Sequence, residues 1–137
     1  MQEYFECYKN CYKKYFNFSG RSSRQEYVVF TLVSLVLSIL VSQMPIASSL
    51  LALVTIIPSF SVSVRRLHDL NTSGWLLLFP CGIMIIGFIL SIAFHADLGL
   101  IIALIIVAIG GISSLVLAFW MLFFRGTVGI NNYGREQ

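Results

Sequence analysis

The positions of lysine and arginine constrain this chain more than any other feature of its sequence. All nine lie outside four long apolar stretches, at Lys9, Lys13, Lys14, Arg21, Arg24, Arg65, Arg66, Arg125 and Arg135. The connections around 43–45 and 95–97 hold none. Basic loops of a polytopic membrane protein stay in the cytoplasm, so this alternation predicts topology. We predict an all-α membrane protein with four transmembrane helices and both termini in the cytoplasm (N-in/C-in).

The lengths of the apolar stretches support the same fold. They cover residues 27–44, 46–64, 75–94 and 98–124, and a bilayer core of roughly 30 Å needs about 17–25 apolar residues per helix. Only 11% of the residues are charged, against about 25% in soluble domains. We therefore predict a single integral membrane domain over residues 1–137 whose first partner is the lipid bilayer. The first apolar run has no small-residue cleavage site before it, so no cleavable signal peptide is expected.

Residues 2–16 precede the first span and have helical periodicity. Aromatic residues recur every three or four positions, with Lys9 and Lys13 between them. This pattern predicts an N-terminal amphipathic helix, which fits an interfacial position in the lipid headgroup layer. A helix packed on the protein's own surface explains the pattern equally well.

Small residues recur at four-residue intervals within the spans, for example at Ser34, Ser38 and Ser42, and at Gly110, Ser114 and Ala118. Small side chains let transmembrane helices approach closely, within one chain, in a homo-oligomer or against another membrane-protein partner. A polar pore lining is the alternative, and it would make the protein a transporter or channel component. The spans carry no charged residue to support that alternative.

Three polar segments carry most of the remaining chemistry. They are FSGRSSRQEY at 18–27, RRLHDLNTSGW at 65–75 and GTVGINNYG at 126–134. The predicted topology places all three at the cytoplasmic membrane surface, where they can meet. Their Gly, Ser and Asn content is typical of defined turns.

These three segments, in this order and spacing, resemble the bacterial membrane-protein family known as domain of unknown function 805. The resemblance covers roughly residues 13–134 and departs at Val28 and Leu76, where aromatic residues often stand. It implies a small protein of the bacterial inner (plasma) membrane. It implies no activity and no cofactor.

Catalytic and metal chemistry find little support in the sequence. A metal site needs three or four ligands. Glu26, His68 and Asp69 lie among four arginines, and the predicted topology puts His95 on the other side of the bilayer. His68 and Asp69 are adjacent, so they point in different directions and make a poor catalytic pair. We predict no catalytic residue, no metal and no cofactor, with a membrane-embedded enzyme as the least favoured interpretation. The short basic clusters fit membrane orientation, so no nucleic-acid partner is expected.

The candidate site is therefore a cluster of ionic and polar residues at the predicted cytoplasmic surface. It comprises Arg21, Arg24, Glu26, Arg65, Arg66, His68, Asp69, Asn131 and Tyr133. One interpretation is that the arginines pair with Glu26 and Asp69 and hold the three segments together. The other is that they bind an anionic phospholipid headgroup or another phosphate-bearing ligand, because guanidinium groups match phosphate bidentately. The two interpretations are compatible, since four arginines outnumber two carboxylates.

Overall fold

A computed structural model describes residues 2–94 and 97–135, in which the regular elements are helices, with one isolated β-bridge between Asn131 and Gly134. The helices are α1 (Gln2–Lys13), α2 (Arg24–Val41), α3 (Pro45–Asp69), α4 (Leu78–Ala93) and α5 (Asp97–Phe123), with a 3₁₀ turn at Gly74–Leu77 before α4. Four of these elements, counting the 3₁₀ turn with α4, are long and apolar enough to cross a membrane. The predicted number of long apolar helices is confirmed, whereas the direction of the termini stays a prediction. The connection at His95 lies outside the described residues.

The helices pack as two hairpins whose outer faces remain apolar. Three residues join α2 to α3, and Met44 N donates to Val41 O across this turn (2.9 Å). α4 and α5 approach closely at two glycines. A Cβ at Gly87 would lie 2.9 Å from Val107 N, and one at Gly110 would lie 3.0 Å from Met84 N. Small residues therefore mark the α4–α5 contact, as in other membrane helix pairs.

The third helix is longer than the apolar pattern predicts. The sequence suggested a span at 46–64 followed by a loop, but α3 continues to Asp69. The extra turn buries Leu67 in the core and pairs Arg66 with Asp69 three residues later, which is a favourable spacing on a helix. The helix ends where Asn71 adopts a left-handed conformation (φ 57°). Arg65 and Arg66 therefore lie in the last turns of a helix, not in a loop.

One face of α1 packs against the protein. Cys11 is fully buried, and the ring of Tyr8 stacks on Phe30 of α2 with centroids 5.6 Å apart. These residues belong to a small apolar core with Val62 and Leu67 of α3. The contact with α2 supports the second of the two placements considered for this helix, and its position in the headgroup layer stays a prediction.

Candidate functional site

The three polar segments meet at one end of the bundle, which we call the basic end (residues 20–26, 65–74 and 122–134). Ser22 N donates to Arg65 O (3.1 Å), and Thr127 N donates to Asp69 O (2.9 Å). These hydrogen bonds connect the first segment to the second and the second to the third. Residues 43 and 58 positions apart are thereby brought into direct contact.

The first ionic group at this end, the Asp69 centre, consists of Asp69, Arg21 and Arg66. Arg21 approaches the Oδ1 atom of Asp69 with Nη2 at 2.7 Å and Nε at 2.9 Å. Arg66 donates from Nη1 to Oδ2 of the same carboxylate. All three residues are buried, with 6% exposure at most. Each carboxylate oxygen of Asp69 is thus paired with a guanidinium group.

Backbone carbonyl groups complete the coordination of both arginines. Arg66 donates from Nε to Met121 O (3.0 Å) and from Nη2 to Phe124 O (2.5 Å), at the C-terminal end of α5. Helix C-termini carry carbonyls without intrahelical partners and favour a cation. Arg21 donates to three carbonyls of the C-terminal segment, those of Thr127, Gly129 and Gly134. The guanidinium groups of Arg21 and Arg66 are therefore hydrogen-bonded to the protein's own backbone.

Gly126 sits directly on the Asp69 carboxylate. A Cβ at this position would lie 1.9 Å from Oδ2 and 2.4 Å from Cγ of Asp69, so no larger residue fits without displacement. The next residue, Thr127, also binds Asp69 by donating its Oγ1 to the Asp69 carbonyl (3.0 Å). The chain leaving α5 is held against the end of α3 at this point.

The second ionic group, the Glu26 centre, consists of Glu26, Arg65, Ser22 and Cys11. Ser22 Oγ donates to Glu26 Oε2 (2.7 Å), and Arg65 Nη1 lies 3.2 Å from Oε1. Cys11 Sγ lies 3.5 Å from the same Oε1 and 3.3 Å from Cys7 O, and its single hydrogen is shared between these two acceptors. Within the described part of the chain, Nε and Nη2 of the buried Arg65 have no hydrogen-bond partner. The sequence prediction that Arg65 or Arg66 pairs with Glu26 or Asp69 is confirmed for both arginines.

The environment of Cys11 changes its acidity. Burial, followed by the negative charge and hydrogen bond of Glu26, raises the pKa of the Cys11 thiol to about 12. A thiolate would place a second negative charge beside a carboxylate that one arginine already balances. The thiol therefore stays protonated at neutral pH and acts as a hydrogen-bond donor.

His68 and Tyr133 form a separate aromatic pair. Their rings are parallel within 3° and 4.0 Å apart. His68 Nδ1 lies 3.2 Å from Gly20 O, and Asn131 Nδ2 donates to His68 O at 2.8 Å. As expected for adjacent residues, His68 and Asp69 point to different partners. His68 is engaged in the aromatic pair and not in the arginine clusters.

Arg24 and Arg125 are the exposed arginines of the basic end. They border a pocket of about 240 Å³, the arginine pocket, together with Ser23, Arg66, Asp69 and Gly126. Arg24 donates from Nε to Leu122 O (2.7 Å). Among residues 2–94 and 97–135, no carboxylate pairs with either of these two guanidinium groups.

The structure brings all nine predicted residues to the basic end but divides them among these four groups. Sequence reasoning did not include Ser22, Ser23, Arg125, Gly126 and Thr127. A signal existed for Ser23, because Ser-x-x-Glu before an apolar run is a helix-capping pattern. Ser23 Oγ does accept from Glu26 N (3.2 Å) and starts α2. In the described residues, no three His, Cys, Asp or Glu side chains are grouped so that they could hold a metal ion.

Comparison with known proteins identifies relatives but no structure. The chain is similar to inner membrane protein YhaI of Escherichia coli K12, with 34% identity over 101 residues that cover 67% of this chain and 84% of the relative. It is also similar to inner membrane protein YhaH of the same organism, with 30% identity over 107 residues, 67% of this chain and 85% of the relative. No solved structure matches. A family model matches residues 15–135, which contain every residue of the basic end, and the chain therefore belongs to the family described as protein of unknown function DUF805.

Proposed function

We propose that this protein binds the phosphate group of an anionic phospholipid in the arginine pocket, as a binding protein and not an enzyme. The proposal includes the orientation expected from the basic residues, with both termini and the basic end on the cytoplasmic side of the inner membrane. Two relatives are named inner membrane proteins, which supports the inner membrane as the location, and the orientation within it rests on the positions of the basic residues.

The charge of the arginine pocket is the observation that carries the proposal. Arg24, Arg66 and Arg125 line it, with Asp69 as the carboxylate. Asp69 already pairs with Arg66 and with Arg21 from outside the pocket. The two exposed arginines therefore face a space where positive charge is unbalanced. Charge-assisted hydrogen bonds from guanidinium to phosphate are among the strong ones in proteins.

The start of α2 adds to the same potential. Ser23 is the N-cap of this 18-residue helix and lines the pocket beside Arg24. The first backbone N–H groups of a helix have no intrahelical acceptor, and the helix dipole favours an anion there. The N-terminus of α2 and the exposed arginines of the pocket therefore both attract an anion.

A second candidate function, transport, has one observation in its favour. A groove between α2 and α3 is lined by hydroxyl side chains, among them Ser38, Thr55 and Ser59. These three hydroxyls donate to carbonyls of their own helices at 2.6–2.8 Å. Such local bonds satisfy these three hydroxyls without a substrate, while the buried Ser34 Oγ, which also lines the groove, has no hydrogen-bond partner among the described residues. The part of the chain that the structure describes places no charged residue in the groove lining, so lipid binding in the arginine pocket is the better supported function.

The test is native mass spectrometry of the purified protein with phosphatidylglycerol and with phosphatidylethanolamine. We expect the parent to retain the anionic lipid preferentially and Arg24→Ala/Arg125→Ala to bind it at least about tenfold more weakly, since two charge-assisted contacts are lost. Lys9→Ala/Lys13→Ala removes the same charge from α1 and serves as the matched control. Equal retention by the pocket variant and the parent would exclude the pocket.

A second arm separates the two sources of phosphate. Excess inorganic phosphate displaces the lipid if the pocket recognises phosphate alone, and leaves it bound if the acyl chains contribute. In either case the arginine variant must differ from the parent.

The orientation is tested by cysteine labelling in a background without the three native cysteines. Single cysteines at Gln43 and Asp97 should react in intact cells with a reagent that does not cross the inner membrane. A cysteine at Asn71 should react only after the membrane is opened. The opposite pattern would invert the topology.

A further inference from the structure

A second cavity at the basic end has a different character from the arginine pocket. This aromatic groove has a volume of about 540 Å³ and lies between the end of α3 and the start of α4. Aromatic rings from three segments line it, namely Phe18, Phe60, His68, Trp75 and Tyr133. Its volume is within the range of about 300–1,000 Å³ that is usual for small-molecule sites. Its largely apolar lining is also typical of such sites. Arg24 and Arg125 do not line it.

The hydrogen bond of His68 decides the chemistry of the groove. Nδ1 lies 3.2 Å from the carbonyl oxygen of Gly20, which can only accept. Nδ1 must therefore carry the hydrogen, and in a neutral imidazole the other nitrogen, Nε2, is then an acceptor. Gly20 fixes this tautomer from a turn with a left-handed backbone (φ 84°).

The accepting nitrogen lies at the groove wall. Gly74, which lines the groove, is so close to His68 that a Cβ there would lie 3.4 Å from Nε2. No described residue donates a hydrogen bond to Nε2. Because Tyr133 covers one face of the imidazole ring at 4.0 Å, a ligand reaches Nε2 along the edge of the ring.

We propose that the aromatic groove binds a planar aromatic molecule with a neutral hydroxyl group, which donates its hydrogen to Nε2 of His68. The aromatic lining favours a flat ring, through stacked or edge-to-face contacts. The lining selects the donor. The described residues that line the groove include no carboxylate to balance an ammonium donor, while a carboxylate ligand has no hydrogen to donate. A phenol-type hydroxyl satisfies both conditions.

The experiment compares two ligands that differ in this hydrogen. Isothermal titration calorimetry on the protein in nanodiscs measures 2-naphthol against 2-methoxynaphthalene, with empty nanodiscs as the reference for partition into lipid. We expect 2-naphthol to bind about fivefold more tightly, which is the effect of one hydrogen bond. Equal affinities, or no binding above the reference, would overturn the proposal.

Two variants locate the interaction. His68→Phe keeps a ring for stacking on Tyr133 but has no acceptor, so the preference for 2-naphthol should vanish. Trp75→Ala removes an aromatic side chain that is 77% exposed and should weaken both ligands while the ratio between them stays the same. A preference that persists in His68→Phe contradicts the assignment of Nε2. If His68→Phe does not fold, the affinities of the two ligands for the parent and for Trp75→Ala still test the proposal.

Discussion

The basic end contains two buried carboxylates, and the chain holds them in different ways. Asp69 is bound by Arg21 and Arg66, and both guanidinium groups donate further hydrogen bonds to backbone carbonyls. Glu26 is bound by one arginine, Arg65, which has two nitrogens without a partner among the described residues. A serine hydroxyl and a thiol supply the rest of its hydrogen bonds. Each oxygen of the Asp69 carboxylate is therefore paired with an arginine, whereas the Glu26 carboxylate has a single arginine partner.

This difference follows from what each centre connects. The Asp69 centre joins the ends of α3 and α5 to the segment before α2, so carbonyls at a helix C-terminus and in the following loop are available to its arginines. The Glu26 centre joins α1, α2 and α3 through side chains, and its surroundings are mainly apolar. Buried charge is tolerated where the backbone supplies partners. We therefore expect the two centres to respond unequally to the same chemical change.

The largest loss of stability is expected for Asp69→Asn. This change leaves two buried guanidinium groups without a counter-charge and should lower the free energy of unfolding in detergent by about 3–5 kcal/mol. Chemical denaturation followed by circular dichroism measures it. Glu6→Gln, which changes a carboxylate of the exposed pair with Lys9, is the control and should have almost no effect. An Asp69 variant as stable as this control would show that the centre does not hold the segments together.

A smaller loss is expected for Glu26→Gln, about 2–3 kcal/mol, because only Arg65 loses a counter-charge and the amide can still bind Ser22. The same denaturation experiment compares it with Asp69→Asn. If the two variants lose equal stability, the number of arginines around a carboxylate does not determine how much that carboxylate contributes to the free energy of unfolding.

The sequence predicts the four helices and the residues of the basic end well. It predicts the contacts among those residues poorly. Long apolar runs identify the four helices because a bilayer imposes a minimum length. The arginines and carboxylates are conspicuous because they are rare. The sequence does not indicate which arginine meets which carboxylate, since Arg21 reaches Asp69 and then Thr127 and Gly129 across separations of 48, 106 and 108 residues. Nor does apolar periodicity show that α3 continues to Asp69, because polar contacts and not lipid stabilise its last turn.

Gly126→Ala tests the packing of the Asp69 centre without changing its charge. The added methyl group would collide with the carboxylate at 1.9 Å and displace the loop after α5, and overpacking of this kind costs about 1–3 kcal/mol. Gly111→Ala is the matched control, because apart from its chain neighbours and its own helix backbone no described atom lies within 4 Å of a Cβ there, and alanine favours a helix. Equal stabilities of the two alanine variants would mean that the loop accommodates a side chain and is not held against Asp69.

The smallest effect at neutral pH concerns Cys11, and it appears only in alkali. Its thiol has a pKa of about 12 in the folded protein against the ordinary value of 9.0, because of burial and the charge of Glu26. Above about pH 9 the unfolded chain loses this proton while the folded protein keeps it, so the unfolded state binds fewer protons and stability falls as the pH rises toward 12. Other groups titrate in the same range, and the informative quantity is therefore the difference between parent and Cys11→Ala. We expect a roughly constant difference from pH 6 to 9, and above pH 9 a steeper loss of stability in the parent than in the variant. Parallel curves up to pH 12 would mean that the thiol ionises freely, and that the Glu26 centre is more open to water than the contacts of Cys11 and Arg65 indicate.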